Sequence, residues 1–430
     1  MKDNMNSITA YNTKYRIFQS NLWAKLMLFL ISPFISFVIS LIDPRSKSSY
    51  LIFFLFGLIF CWHLNPTHLD RYEDLFGIID YFEYNNFSTD EILNQIRYYF
   101  TFSEYSQKEI YQNIMIWFTK LFSNNYHCFF FLVSIPWLFF FLSSLHKITD
   151  NKKFNHSIIC YIILFLFVFP RDIISVQNPR YTTAVWVSIF ATINYFYKEE
   201  YKWFYLLLIL LTPTIHSGYW FFVILFLLFV LFFNKYQNVC FVCFLISLPF
   251  SIYGYALMSS IDFTSLPLPP SLAVWINNYL SYENYLIFIV RDGPKGGFYI
   301  IGALFGYLIL ISYLMMAFLL WKNREYINGN HRDSVFLSFI LFLYACVNAL
   351  QTIPELGGRS LWTIRILIIY FWYKVIYPQY NGVVCFVFFS CFLDIARRYF
   401  GSPFQEGAVY SSVPLNIFYD NLFSLIMDFL

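Results

Sequence analysis

Charge is what this sequence has least of. Asp, Glu, Lys and Arg make up 12% of its 430 residues, against about 25% in soluble domains. So little polar surface excludes a water-wrapped globule of this length. A net charge of +3 excludes a strongly basic face, so no nucleic-acid partner is expected. The signatures of soluble catalysis are missing: there is no Walker loop, Rossmann glycine pattern, zinc-protease helix or nucleophile elbow. A disulfide framework is missing too. Cys160, Cys346 and Cys385 stand singly in apolar runs, and Cys240 and Cys243 are three apart without partner ligands. His63 and His68 are five apart beside Pro66, not at the i, i+4 spacing of a metal-binding helix face. Neither a metal nor a cofactor is expected. No cleavable signal peptide is expected either: the N-terminus is polar up to Asn21, and no small-residue cleavage site follows the first apolar run.

What is present is grease. Hydrophobic residues reach 59%, with 55 Phe and 36 Tyr, and mean hydropathy is +0.56. Such a chain needs lipid as its solvent, with Phe facing hydrocarbon and Tyr at the interface. A lone strand cannot satisfy its backbone there, so the apolar runs read as helices. They fall near residues 26–42, 50–64, 126–145, 157–169, 181–197, 203–215, 218–233, 238–258, 298–321, 334–352, 361–377 and 382–398. The expected fold is all-α: one polytopic integral membrane domain over 1–430, with about 11–12 transmembrane helices and one larger outer loop at 65–125.

Short basic loops set orientation. Arg45/Lys47, Lys147/Lys152/Lys153, Lys198/Lys202, Lys235 and Lys322/Arg324/Arg332 alternate onto one side, the expected cytoplasm. The segment 65–125 lies opposite, with 170–180, His216, 259–297 and 353–360. Two features object: this parity puts the basic N-terminus (Lys2, Lys14, Arg16, Lys25) outside, and Arg397 and Arg398 end the last span on the outer side.

The two sides use different cations. The cytoplasmic breaks are mostly Lys, whereas the outer side carries Arg71, Arg97, Arg171, Arg180, Arg291, Arg359 and Arg365 against Lys108, Lys120 and Lys295. Topology needs only charge, but Arg grips phosphate oxygens bidentately, and an Arg at membrane depth is a functional hypothesis by default. The plainer alternative is that each pairs with an acidic loop residue or snorkels. Arg171 and Arg180 stand before and at the start of the 181–197 helix, where free N–H groups favour phosphate. In Thr212-Pro-Thr-Ile-His216-Ser-Gly218, His216 sits between two short helices and could move a proton, or merely cap. The turn-rich cluster from Arg291 to Gly297 permits close backbone approach to a ligand, or is a simple hairpin turn.

The outer loop is acidic and aromatic. Phe76–Phe82 and 109–122 have the spacing of interfacial helices. Carboxylates such as Asp70 accept sugar hydroxyls, and rings such as Tyr72 stack on pyranose faces; a solvated loop without a ligand is the alternative.

The order of these features resembles the Wzy and EpsG-like polysaccharide polymerases. An outer loop opens with Asp70 and Tyr72, a helix begins Asn178-Pro-Arg180-Tyr-Thr-Thr-Ala184, a basic break Lys198-Glu-Glu-Tyr-Lys202 follows, and a short run ends Thr214-Ile-His216-Ser217. The resemblance spans roughly residues 50–235, and the Tyr after Asp70 comes earlier than in the family pattern. It implies an enzyme of the bacterial inner membrane, acting at the outer face on O-antigen, capsule or exopolysaccharide repeats. The growing glycan would pass from undecaprenyl-pyrophosphate onto the next lipid-linked repeat. Arg180, Arg171, Arg291, Arg359, Arg365 and Tyr72 are the candidate substrate and pyrophosphate contacts, and His216 or Asp70 the candidate base. The expected partners are the lipid-linked oligosaccharide, membrane lipid and a chain-length regulator protein. A lipid-linked oligosaccharide flippase, an O-antigen ligase, another membrane glycosyltransferase and a membrane acyltransferase are the competing readings.

Overall fold

A computed structural model of the chain describes residues 21–64, 73–101, 109–151, 153–168, 178–259, 297–350, 359–400 and 415–427. In chain order the main helices are α1 (Leu22–Ile31), α2 (Pro33–Ile42), α3 (Lys47–Trp62), α4 (Glu73–Tyr84), α5 (Thr89–Phe100) and α6 (Tyr111–Lys120). Then come α7 (Tyr126–Thr149), α8 (Ile158–Val168), α9 (Pro179–Tyr197), α10 (Lys202–Ile215), α11 (Tyr219–Leu228) and α12 (Gln237–Ser259). The last are α13 (Gly297–Lys322), α14 (Arg324–Ile327), α15 (His331–Leu350), α16 (Arg359–Val375), α17 (Asn381–Phe400) and α18 (Leu422–Met427). No strand occurs among the described residues, as the all-α expectation required. Among them, Tyr126–Thr149 and Leu304–Lys322 are each long and apolar enough to cross a bilayer, and shorter apolar helices include Lys47–Trp62 and Ile158–Val168.

One expected span needs correction. Residues 26–42 do not form a single crossing helix. The chain breaks at Ser32, which ends α1 in an extended conformation and caps α2 through its side chain, with Pro33 as the first residue of α2. The Ser36 hydroxyl then donates to the Lys25 carbonyl at 2.8 Å. Along a straight helix those residues would lie about 16 Å apart, so α2 folds back on α1. Each arm has 10 residues, about 15 Å of helix, half the thickness of a hydrocarbon core. Lys25 is buried, and its ammonium donates to Ser49 Oγ at 2.7 Å, at the start of α3.

The chain divides into two compact units. Unit 1 holds Met1–Phe154, Asp172–Phe190 and Gln405–Leu430. Its axis is the packing of α3 on α7. Gly57 permits that approach: a Cβ there would stand 2.7 Å from Leu138 Cδ2. The apolar faces of α4 and α6 cover the N-terminal half of α7 in one cluster, Ile78, Ile79, Phe82, Ile116, Phe129, Phe130 and Val133. Sequence spacing predicted α4 and α6. The polar α5 was not predicted; it is held by a capping box in which the Ser88 N–H donates to Glu91 and Glu91 N–H donates back to Ser88 Oγ. Ser88 also holds the Glu91 carboxyl below the usual range by donating to it. At the other end of α7, Arg45 donates to the carbonyls of Thr149 and Asn151 at 3.0 and 2.8 Å, closing its C-terminus with a cation. Two of the basic breaks therefore meet.

Unit 2 holds Asn155–Arg171 and Ala191–Phe404. Here α12 runs along α15, α13 along α17, and α8 packs on α16 and α17. One end is tied by charge. Lys374 in the last turn of α16 bonds Asp333 in the first turn of α15 at 2.6 Å, and its ammonium lies 3.4 Å from the centre of the Tyr197 ring. Arg332 donates to the Tyr197 carbonyl and pairs with Glu199 at 2.6 Å. Lys374 and Asp333 each have the sign that their helix end prefers, and again basic breaks meet.

Candidate functional site

The His216 turn follows from its sequence. Pro213 has no N–H, so the Ile209 carbonyl loses its helical partner. The Thr212 hydroxyl takes that place, donating to Ile209 O at 2.7 Å. The helix ends two residues later, and His216 caps it in an extended conformation with its N–H on Thr212 O at 3.0 Å. The His216 carbonyl accepts from Tyr219 N–H at 3.0 Å, and ring Nδ1 accepts from Gly218 N–H at 3.1 Å. His216 is 6% exposed. The Tyr219 hydroxyl meets Thr363 Oγ1 at 3.1 Å. That contact docks the turn on α16, one helical turn beyond Arg359, the first residue of that helix.

Two residues after Thr363, Arg365 points its guanidinium over two rings, Trp362 at 4.9 Å and Tyr313 at 5.3 Å. It makes no ion pair and no hydrogen bond among the described residues. A guanidinium between aromatic faces is held by the ring quadrupoles while its N–H edge keeps its hydrogen-bonding capacity. Within unit 2, the turn that holds His216 packs on α16 through Tyr219, and Arg365 lies on that helix.

Arg180 belongs to unit 1. Asn178 caps α9 by accepting from Tyr181 N–H, Pro179 takes the first helical position, and Arg180 the second. Its Nη1 donates to Glu109 Oε2 at 2.8 Å, and its Nε is buried without a hydrogen-bond partner. Glu109 comes from the outer segment and is 10% exposed. Nearby, Tyr81 donates to Asn113, whose amide donates to Gln95. Burial pushes the Tyr81 phenol up, and the Asn113 bond and the Arg180 charge pull the other way. This arrangement is an electrostatic anchor for the loop helices as much as a ligand site. Sequence reasoning did not pair Glu109 with Arg180, nor did it find Tyr219, Thr363, Tyr313 or Trp362. Asp70, Tyr72, Arg171 and Arg291 lie outside the described residues. Arg359 lies on α16, but its side chain is outside the description.

Comparison with known proteins adds one positive finding. The model of the EpsG family matches residues 76–412. No curated protein and no solved structure matches the chain.

Proposed function

Since the chain belongs to the EpsG family, a family of membrane polysaccharide biosynthesis, we propose that it is a polysaccharide polymerase of the bacterial inner membrane. It transfers the growing glycan from undecaprenyl-pyrophosphate onto a lipid-linked repeat unit at the outer face. Eleven helices cross in this reading: α3, α7 to α13, and α15 to α17, the shorter ones lengthened by flanking residues or tilted. In the reaction, the acceptor hydroxyl oxygen forms a bond to the anomeric carbon of the donor glycan. The bond from that carbon to the pyrophosphate oxygen breaks, the pyrophosphate leaves with the electron pair, and the hydroxyl proton passes to a base. Asp70 and His216 are the candidate bases.

The observation that supports this most is Arg365. A guanidinium without a carboxylate partner among the described residues, held against two rings and partly exposed, suits an anion that arrives and leaves. Donors of this kind stabilise the charge developing on pyrophosphate. Arg359, on the same helix, would add to it. The partners proposed are the lipid-linked oligosaccharide, membrane lipid and a chain-length regulator.

The test is the glycan ladder of a deletion strain. Loss of a polymerase leaves single repeats on the carrier-derived product, whereas loss of a flippase or a ligase leaves none. A ladder with no repeats at all would reject polymerisation. A reporter in the 85–105 stretch should be extracytoplasmic, and one after Lys153 cytoplasmic.

A further inference from the structure

We infer that a cavity between α1, α3 and α18 in unit 1 holds one acyl chain of a membrane phospholipid. The inference takes the orientation of α3 and α7 from the reading above and is independent of the reaction proposed there.

The hairpin of α1 and α2 stops short of the end of α3. Phe37 meets Phe53 at 5.5 Å and Phe56 at 4.4 Å, and Phe34 meets Phe56 at 6.4 Å. Higher positions of α2 thus meet lower positions of α3, and the two helices run antiparallel. The turn at Ser32 lies just beyond the level of Phe56, while α3 continues to Trp62. There the last segment of the chain takes over as cover. Phe418 packs edge-on against Phe34 at 4.9 Å, Asn416 meets His63 just past α3, and α18 packs on α1. The cover is incomplete. A cavity of about 450 Å³ remains, walled by Met27 and Leu30 of α1, Leu58 and Trp62 of α3, Phe131 of α7 and Leu425 of α18. Of its lining side chains only His63 is ionisable. Water does not fill such a space, because a buried water needs several polar partners. Left empty, the wall would lose dispersion contacts on one side. Its mouth identifies the filler. Met27, Leu30 and Ile426 line the cavity and are also exposed, beside exposed Ile31, Phe423 and Met427. The cavity is therefore continuous with an apolar outer surface, which in a membrane protein meets lipid tails. In the proposed orientation α3 ends and α7 begins at the outer face, so the cavity lies at the depth of one leaflet. One leaflet is about 15 Å of hydrocarbon, half the core, and α1 is about as long. A single acyl chain matches that depth and volume. A polyprenyl chain has many more carbons and would leave most of its length outside. The hold is by packing, since a tail is as apolar in the bilayer as in the cavity.

The full chain is reconstituted in phosphatidylglycerol nanodiscs with a small share of phosphatidylglycerol that carries a diazirine in one acyl chain. After irradiation, labelled residues are mapped by peptide mass spectrometry. Leu304 and Ile311, exposed on α13, report ordinary lipid contact. Leu58 and Leu425 are only 7% and 1% exposed, so a tail that merely slides past does not reach them. Label on both is expected in the wild-type chain. Leu26→Trp and Leu55→Trp each put an indole into the cavity from a half-buried position on its wall. Leu58 and Leu425 should then lose their label while Leu304 keeps it, and either variant serves if the other fails to accumulate. The wild-type map decides occupancy even without them: label on α13 with Leu58 and Leu425 blank overturns the inference. Label that survives both indoles overturns it too. So does label on Leu58 and Leu425 that a small molar share of undecaprenyl phosphate abolishes, which would assign the cavity to the carrier lipid. A glycan ladder without repeats would reject the polymerase and leave this occupancy standing.

Discussion

Arg180 and Arg365 should fail in opposite ways when replaced by Gln. Arg180→Gln takes from the Glu109 carboxylate, which is 10% exposed, its 2.8 Å guanidinium partner. Removing one member of a buried pair costs about 3–5 kcal/mol. Arg180 itself is 31% exposed, so water screens part of this, and about 2–3 kcal/mol is the expected loss. The double variant Arg180→Gln/Glu109→Gln strands nothing and should return to within about 1 kcal/mol of wild type. Arg365→Gln strands no carboxylate among the described residues. It loses two ring contacts, together about 1–2 kcal/mol, too little to unfold the chain. Its membrane abundance should be normal and its polymer absent. The assay measures thermal unfolding in detergent, immunoblotted abundance and glycan length for all three variants in a deletion strain. A double variant no more stable than Arg180→Gln would refute the anchoring role of the pair. Long glycans of normal amount from Arg365→Gln would remove Arg365 from the site.

Other outcomes follow from the packing. Asp333→Asn leaves the half-buried Lys374 ammonium without its 2.6 Å partner and should cost about 2–3 kcal/mol in thermal unfolding; adding Lys374→Met should recover most of it. Gly57→Val drives side-chain atoms into Leu138 and should destabilise unit 1 by about 1–3 kcal/mol, seen as a lower unfolding temperature at normal synthesis. The depressed Glu91 carboxyl stabilises α5 above its unfolded pKa, and that contribution is lost as pH falls through the folded value. Protection factors for hydrogen exchange over 89–100 should therefore fall on acidification, and Glu91→Gln should show the lower protection at neutral pH already.

Much of the fold was legible because hydrophobic runs leave a helix few alternatives. The runs at 126–145, 203–215 and 382–398 became α7, α10 and α17 with ends moved by only a few residues. The α5 helix went unread because only Ile92 and Tyr99 are buried on it, too sparse a stripe to stand out, although Ser88 and Glu91 already carried the capping signal. Pro213 and Gly218 marked the His216 turn. Partners were another matter. Glu109 is 71 residues from Arg180, and the Thr363 that receives Tyr219 is 144 residues away. Nothing local specifies such contacts; they follow from which helices pack together.

The α1–α2 fold-back changes the arithmetic of crossing. In the orientation proposed above, a pair of arms that turns round at Ser32 adds an even number to the count, so no later loop changes side when residues 26–42 cease to count as one crossing. Lys25 at the foot of α3, bonded to Ser49, ties the pair to that helix. In that orientation a wedge of this kind would displace hydrocarbon from one leaflet only, and membrane thickness would then have something in unit 1 to act on.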